Sequence, residues 1–187
     1  ETVFTGIVEK VVRGKVYNGM LILEEALDVS EGESLAVNGV CLTVSKVTER
    51  AVFFDVGEET LRRSNLGRSR FFNIEKSLKV GERFHGHVVL GHVDGTVRFL
   101  GHEHRDNSYF FNFSMPVEKW AVAVKGSIAL NGISLTVAGI SLDSFCVQVI
   151  PYTYEHTNLK YLQAGDPVNY EIDVFARYMR EVLRWKS

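Results

Sequence analysis

Cysteine is scarce: Cys41 and Cys146 are the only two in 187 residues. Two thiols cannot staple a disulfide scaffold, and without a Cys-x-x-Cys pair they suggest no zinc site. No apolar run is long enough to span a bilayer. The N-terminal stretch also lacks the basic, apolar and small-residue order of a signal peptide, so a cytoplasmic location and no membrane partner are expected. Positive charge is not in excess either. Twenty-one Lys and Arg stand against 23 Asp and Glu, a net charge of −2, whereas a nucleic-acid binder displays a basic stripe that displaces counterions from phosphates. The one local basic cluster, Arg62, Arg63, Arg68 and Arg70, follows acidic residues and reads as a solvated turn. What remains is 45% hydrophobic and 24% charged, the balance of a soluble globular protein with one large domain or two small ones.

The chain repeats itself. Residues 34–47 read SLAVNGVCLTVSKV and residues 127–140 read SIALNGISLTVAGI, displaced by 93 positions. Half of these positions are identical, and most others exchange one apolar residue for another. The same displacement sets Thr60 on Thr153 and Asn65-Leu66 on Asn158-Leu159. Asn73-Ile74-Glu75 then resembles Asn169-Tyr170-Glu171, and Thr5-Gly6-Ile7-Val8 loosely matches Asp94-Gly95-Thr96-Val97. Two copies are too few for a solenoid. They predict two small domains of one fold, residues 1–88 and 89–174, related by pseudo-symmetry.

Within each half the segments are short, rich in Val, Ile, Phe and Thr, and punctuated by glycine, which is a β pattern. Asn38-Gly39 and Asn131-Gly132 are turn signals between apolar residues. Leu42-Thr43-Val44 and Leu135-Thr136-Val137 alternate as half-buried strands do. Residues 51–55 and 145–150 are further strands, and 78–82 reads as a strand entering a turn. About six strands per half predict an all-β protein of two six-stranded Greek-key barrels. Short helical stretches are expected at 58–65 and 117–124, the latter behind Pro116. Residues 175–187 form an amphipathic helix, with Phe175, Tyr178, Met179, Val182 and Leu183 at helical spacing. Its apolar face packs either on its own chain or on copies of itself.

Several strings in this order resemble the riboflavin synthase family, which includes lumazine and yellow fluorescent proteins. They are Phe4-Thr5-Gly6-Ile7-Val8-Glu9, Ala36 through Val44, Glu59 through Leu66, and Gly86-His87-Val88-Val89-Leu90-Gly91-His92-Val93-Asp94-Gly95. The second half adds Lys125-Gly126-Ser127, Leu135-Thr136-Val137, Ile150-Pro151, Thr157-Asn158-Leu159 and residues 168–173. Together they cover nearly the whole chain. There are departures: residues 67–72 are shorter than the family's usual connection, His85 replaces a common glycine, Tyr152 replaces a different polar residue, and Glu1-Thr2-Val3 precedes Phe4.

The resemblance implies a homotrimer whose C-terminal helices form a central bundle, with no metal and no cofactor. A lumazine synthase shell is a further partner it allows. It implies that each barrel binds one 6,7-dimethyl-8-ribityllumazine. One lumazine passes four carbons to the other, giving riboflavin and 5-amino-6-ribitylamino-uracil, where the first barrel of one subunit meets the second barrel of its neighbour. A non-catalytic lumazine- or flavin-binding protein on the same scaffold is the alternative. The 7-methyl protons are acidic because the carbanion delocalises into the heterocycle, so the chemistry asks for a modest base, a nucleophile for the acceptor ring, and orientation of two flat rings.

By residue pattern alone Cys41 is a small buried cysteine in a strand. By resemblance it is the reactive first-barrel cysteine, with Ser134 at the equivalent place in the second barrel. His92 matches the family's active-site histidine, suited to proton transfer near neutrality, while His87 reads as structural and Cys146 as a strand residue. The implied substrate contacts are Cys41, His92 and Ser134 themselves, Phe4 (reaching a neighbouring subunit), Gly6, Ile7, Val8, Leu42, Thr43, Asp55, Thr60, Gly91, Val93, Lys125, Leu135, Thr136, Ile150, Pro151, Thr153 and Glu155, with Asp173 as a further contact like Asp55, and Gly6 and Gly95 allowing close backbone approach. Of these, Gly6-Ile7-Val8 are assigned to the second-barrel site, and Gly91-His92-Val93 with Lys125 to the first.

Overall fold

Alternation decides the strands. Along Val40–Val47 the even positions Val40, Leu42 and Val44 turn inward, while Cys41, Thr43 and Ser45 stay at the surface. The same pattern recurs at Ile133–Ile140, where Ile133, Leu135 and Val137 point in and Ser134 and Thr136 point out. In the computed structural model, which describes residues 2–185, such segments close into two antiparallel barrels.

The first barrel comprises β1 (Lys10–Tyr17), β2 (Met20–Leu23), β3 (Ser34–Val37), β4 (Val40–Val47), β5 (Val52–Asp55) and β6 (Phe71–Lys76), in the spatial order β1-β2-β5-β4-β3-β6. The second comprises β7 (Gly95–Arg105), β8 (Ser108–Ser114), β9 (Ser127–Leu130), β10 (Ile133–Ile140), β11 (Ser144–Val149) and β12 (Pro167–Ile172). Its order, β10-β11-β8-β7-β12-β9, is the same topology strand for strand. Three hairpin-linked strands flanked by a strand that returns from afar make each barrel a Greek key. Closure leaves no sheet edge to pair with another chain.

Short helices fill the connections: α1 (Glu58–Arg63), α2 (Pro151–His156) and, after the second barrel, α3 (Val174–Arg184). Asp173 caps α3 by accepting from the Phe175 amide at 2.9 Å, so it serves the helix terminus. Residues 186 and 187 of the expected C-terminal helix lie outside the described residues. None of the described helices is long and apolar enough to cross a membrane.

The barrel interiors are filled. Phe54 and Phe72 in the first barrel, and Phe111, Phe113 and Phe145 in the second, are essentially inaccessible; each contributes roughly 1.5–3 kcal/mol of burial. A ligand therefore meets these barrels on their outer surfaces. Where they touch, two tight turns meet back to back. A Cβ on Gly39 would lie 2.7 Å from the Gly132 amide nitrogen, and the reverse distance is the same. Around them six buried asparagines pair across the pseudo-twofold axis: the Asn65 amide donates to Asn169 Oδ1 (2.6 Å), and the Asn158 amide donates to Asn73 Oδ1 (2.7 Å).

Two local expectations need correction. Residues 78–82 hold no strand, because β6 ends at Lys76. The stretch 117–124 is only a 3-10 turn at Lys119–Ala121. The polar stretch around His102 and His104 belongs to β7, where pairing with β8 continues to Arg105 and His102 stacks on Phe111 at 4.7 Å.

Candidate active site

Each barrel is completed by a segment from the other half. Residues 4–8 leave the first barrel and run along β10, and residues 89–93 run along β4. Val8 packs on the second core and Val93 on the first. The Ser134 amide donates to the Gly6 carbonyl at 2.8 Å, and the Cys41 amide to the Gly91 carbonyl at 2.9 Å. Gly6 thus corresponds to Gly91, and the match of Thr5–Val8 with residues 94–97 read from the sequence is corrected to 90–93. Both glycines have positive φ, 77° and 76°. A Cβ would sit 2.6 Å from Ser134 Cβ at Gly6 and 2.5 Å from Cys41 Cβ at Gly91, so no other residue fits either place.

Two similar outward rims result. On the first, Cys41 and Thr43 of β4 lie beside β3, with Ser34 opposite Thr43 and accepting a hydrogen bond from Thr2 at 3.3 Å. On the second, Ser134 and Thr136 of β10 lie beside β9, with Ser127 opposite Thr136 and Gln148 opposite it on β11. The rims are chemically unequal. Burial pushes the Cys41 thiol up; a Ser34 hydrogen bond opposes this, and the Glu171 charge adds to it. Cys41 is therefore a thiol near neutrality. Ser134 instead has a histidine: His87 Nδ1 lies 2.7 Å from its Oγ. Burial drives the His87 pKa down, against the raising charge of Asp173, so its imidazole is neutral and able to take a proton.

The sequence singled out Cys41, Ser134, Thr43 and Thr136, and they lie at matching rim positions. It singled out His92 over His87. His92 is exposed beside the first rim, in a cavity of about 380 Å3 shared with Glu171 and Arg177, whereas His87 touches the rim hydroxyl. In the structure His87 lies two residues before Val89, which bridges Phe4, and Thr2 is its counterpart beside Ser34.

Phe4 is fully buried among Ala36, Val89 and Ala129 of its own chain, so it does not extend to a neighbour. Leu42 and Leu135 point into the cores and offer a ligand only main chain. Lys125 stands in the turn before β9 of the second barrel, its amide donating to the Val137 carbonyl at 2.8 Å. Ile150, Pro151, Thr153 and Glu155 gather at α2 where β11 ends, and Asp55 and Thr60 lie at the corresponding end of β5 and in α1. Among the described residues no group of three or more His, Cys, Asp or Glu is arranged to hold a metal ion.

Filled barrels with paired polar rims, each finished by a swapped segment, define a duplicated β-barrel protein whose two outward rims are alike in shape and unlike in chemistry. The chain belongs to the lumazine-binding domain family, whose description matches residues 5–76 and again 90–173. It is 40% identical to a riboflavin synthase of Mycobacterium tuberculosis (strain ATCC 25618 / H37Rv) over 200 residues, covering 97% of this chain and 98% of that protein. It is 38% identical to a riboflavin synthase of Brucella abortus (strain 2308), covering 98% and 100%. Kinship running the length of both partners places the chain among the family's enzymes. The crystal structure of LumP complexed with riboflavin shares the fold, with a TM-score of 0.81 over 90% of this chain and 98% of that one at 21% identity. LumP complexed with 6,7-dimethyl-8-(1'-D-ribityl) lumazine gives 0.79 at 20% identity.

Proposed function

We propose that the protein is a riboflavin synthase that converts two 6,7-dimethyl-8-ribityllumazine molecules into riboflavin and 5-amino-6-ribitylamino-uracil by moving a four-carbon unit. The two products together contain every atom of the two substrates, so the transfer consumes no external oxidant. One lumazine lies on each rim. Neutral His87, with Ser134, removes a 7-methyl proton or protonates the departing fragment; the Cys41 rim holds the partner ring, with the thiol positioned to add to it. The threonines and main-chain groups of both rims orient the rings, and proximity lowers the barrier by several kcal/mol.

The observation that carries this reading is the inequality of two otherwise matching rims, Cys41 with Ser34 against Ser134 with His87, in a chain related end to end to riboflavin synthases. A dismutation needs two sites for one substrate that treat it differently. Both rims face outward, so a second surface must cover them to exclude water. The rims therefore work between subunits, first barrel of one against second barrel of the next. The exposed α3 face carrying Phe175, Tyr178, Met179, Val182 and Leu183 supports a trimer held by its terminal helices.

Purified protein incubated with the lumazine should develop riboflavin fluorescence with consumption of two substrates per product. Tight binding without turnover would instead identify a lumazine- or flavin-binding protein on the same scaffold.

A further inference from the structure

Each swapped segment is held by a buried carboxylate. Glu75 on β6 and Glu171 on β12 are 6% and 5% exposed, and among the described residues neither forms an ion pair. Burying an unpaired carboxylate is costly unless its oxygens are hydrogen-bonded, and here the donors are main-chain amides. Glu75 accepts from the Thr5 amide (2.7 Å) and the Gly6 amide (3.0 Å), with the Thr5 hydroxyl as a third donor. Glu171 accepts from the Leu90 amide (2.8 Å) and the Gly91 amide (3.0 Å). The next link is the glycine carbonyl, which receives the amide of Ser134 on one rim and of Cys41 on the other. A carboxylate suits this place because both oxygens accept; an amide or carboxylic acid would turn a donor toward one of the two N–H groups.

We infer that Glu75 and Glu171 are positioning residues, each gripping a swapped segment by two consecutive amides and so fixing Gly6 against Ser134 and Gly91 against Cys41. That these rims carry catalysis rests on the proposed function; the grip itself does not. The two clamps differ in their surroundings. Glu171 faces Asp94, which binds Arg177 of α3 at 2.6 Å and accepts from the Ile172 amide at 3.0 Å. Cys41 on β4 and His92 on the gripped segment are titratable neighbours, Arg63 of α1 and Tyr178 of α3 line the same cavity, and Glu118 acts on Arg177 from the far side. Burial pushes Glu171 up to about 7, with Asp94 adding to the rise and the amides of Leu90, Gly91 and His92 opposing it. The Cys41 rim thus loses one of its two gripping bonds as pH falls through neutrality.

Stability moves the other way. The folded-state pKa is raised above the unfolded value, so the folded protein holds the extra proton. This contribution is fully present below the unfolded pKa and is lost as pH rises through about 7. A loosening rim on a more stable fold separates positioning from a merely structural role.

The experiment follows the 1H–15N resonances of Leu90 and Gly91 in the full chain from about pH 5 to about pH 9, together with kcat and KM for lumazine turnover. Both amides should titrate with a midpoint near that of an acid limb in kcat. Glu171→Gln should abolish the titration and the limb and lower kcat about tenfold at alkaline pH with a smaller change in KM. Glu75→Gln should leave the Leu90 and Gly91 titration in place. Amides that do not titrate in the unsubstituted protein, or a limb that persists in Glu171→Gln, would overturn the inference. If the protein bound lumazine without turning it over, the amide titration would still stand, and the functional reading alone would fail.

Discussion

Cys41 and Ser134 occupy the same place in two copies of one strand, each with its amide on a glycine carbonyl. The difference between them is a sulfur and its neighbours. Sulfur beside Ser34 in a desolvated pocket is a reluctant acid and a strong nucleophile once deprotonated; oxygen beside a neutral imidazole is a relay for a proton. Cys41→Ser keeps the shape and removes the nucleophilicity. Turnover should therefore fall by about tenfold or more while lumazine affinity, read from fluorescence titration, changes little. Equal losses in both would assign Cys41 a packing role.

At this scale the sequence was legible wherever the two halves could be laid on each other, which exposed Cys41 against Ser134 and Thr43 against Thr136. It was opaque where a residue's partner comes from the other half. Nothing in Gly-His-Val-Val-Leu-Gly-His tells which histidine meets a hydroxyl across the barrel boundary. Nor does a glutamate in Asn-Ile-Glu or Asn-Tyr-Glu announce that it is buried and gripping a loop some 70–80 residues away in sequence.

Among the elements, strands with strict alternation were readable because a one-residue slip would bury Cys41 and Thr43 and expose Leu42. Short helices were not. α2 has six residues, no buried side chain, and is held largely by Tyr154 stacking on Tyr109 of β8 at 4.2 Å, a contact between segments far apart in sequence. α3 is the opposite case. Its periodicity predicted a helix, and the structure leaves its apolar face uncovered: Phe175, Tyr178, Met179 and Leu183 are all more than 60% exposed, with Trp120 of the second barrel beside them under Arg180. A face of this size on one helix is a contact surface. Leu183→Asp places a charge in it and should shift the sedimentation profile of the proposed trimer to smaller species. An unchanged profile would mean that α3 does not hold subunits together.

In the whole molecule, duplication supplies two matching rims, the proposed ligand faces, and the asparagine network fixes their mutual orientation. Asn73 and Asn169 each bind the opposite barrel's turn, donating to the carbonyls of Asn131 (2.9 Å) and Asn38 (2.8 Å), and the Gly39–Gly132 contact allows no slack. With the barrels locked and both rims on outer surfaces, the proposed catalysis between the rims calls for a second subunit. The measurement that tests this most directly is complementation. Cys41→Ala and Ser134→Ala variants, each inactive alone, are unfolded together and reassembled in equal amounts. If the first rim of one subunit works with the second rim of its neighbour, about a quarter of the junctions in randomly mixed trimers carry both intact groups, and riboflavin formation should return to that order. If the mixture stays as inactive as its components although mixed trimers form, both rims act within a single chain and the inter-subunit account is contradicted.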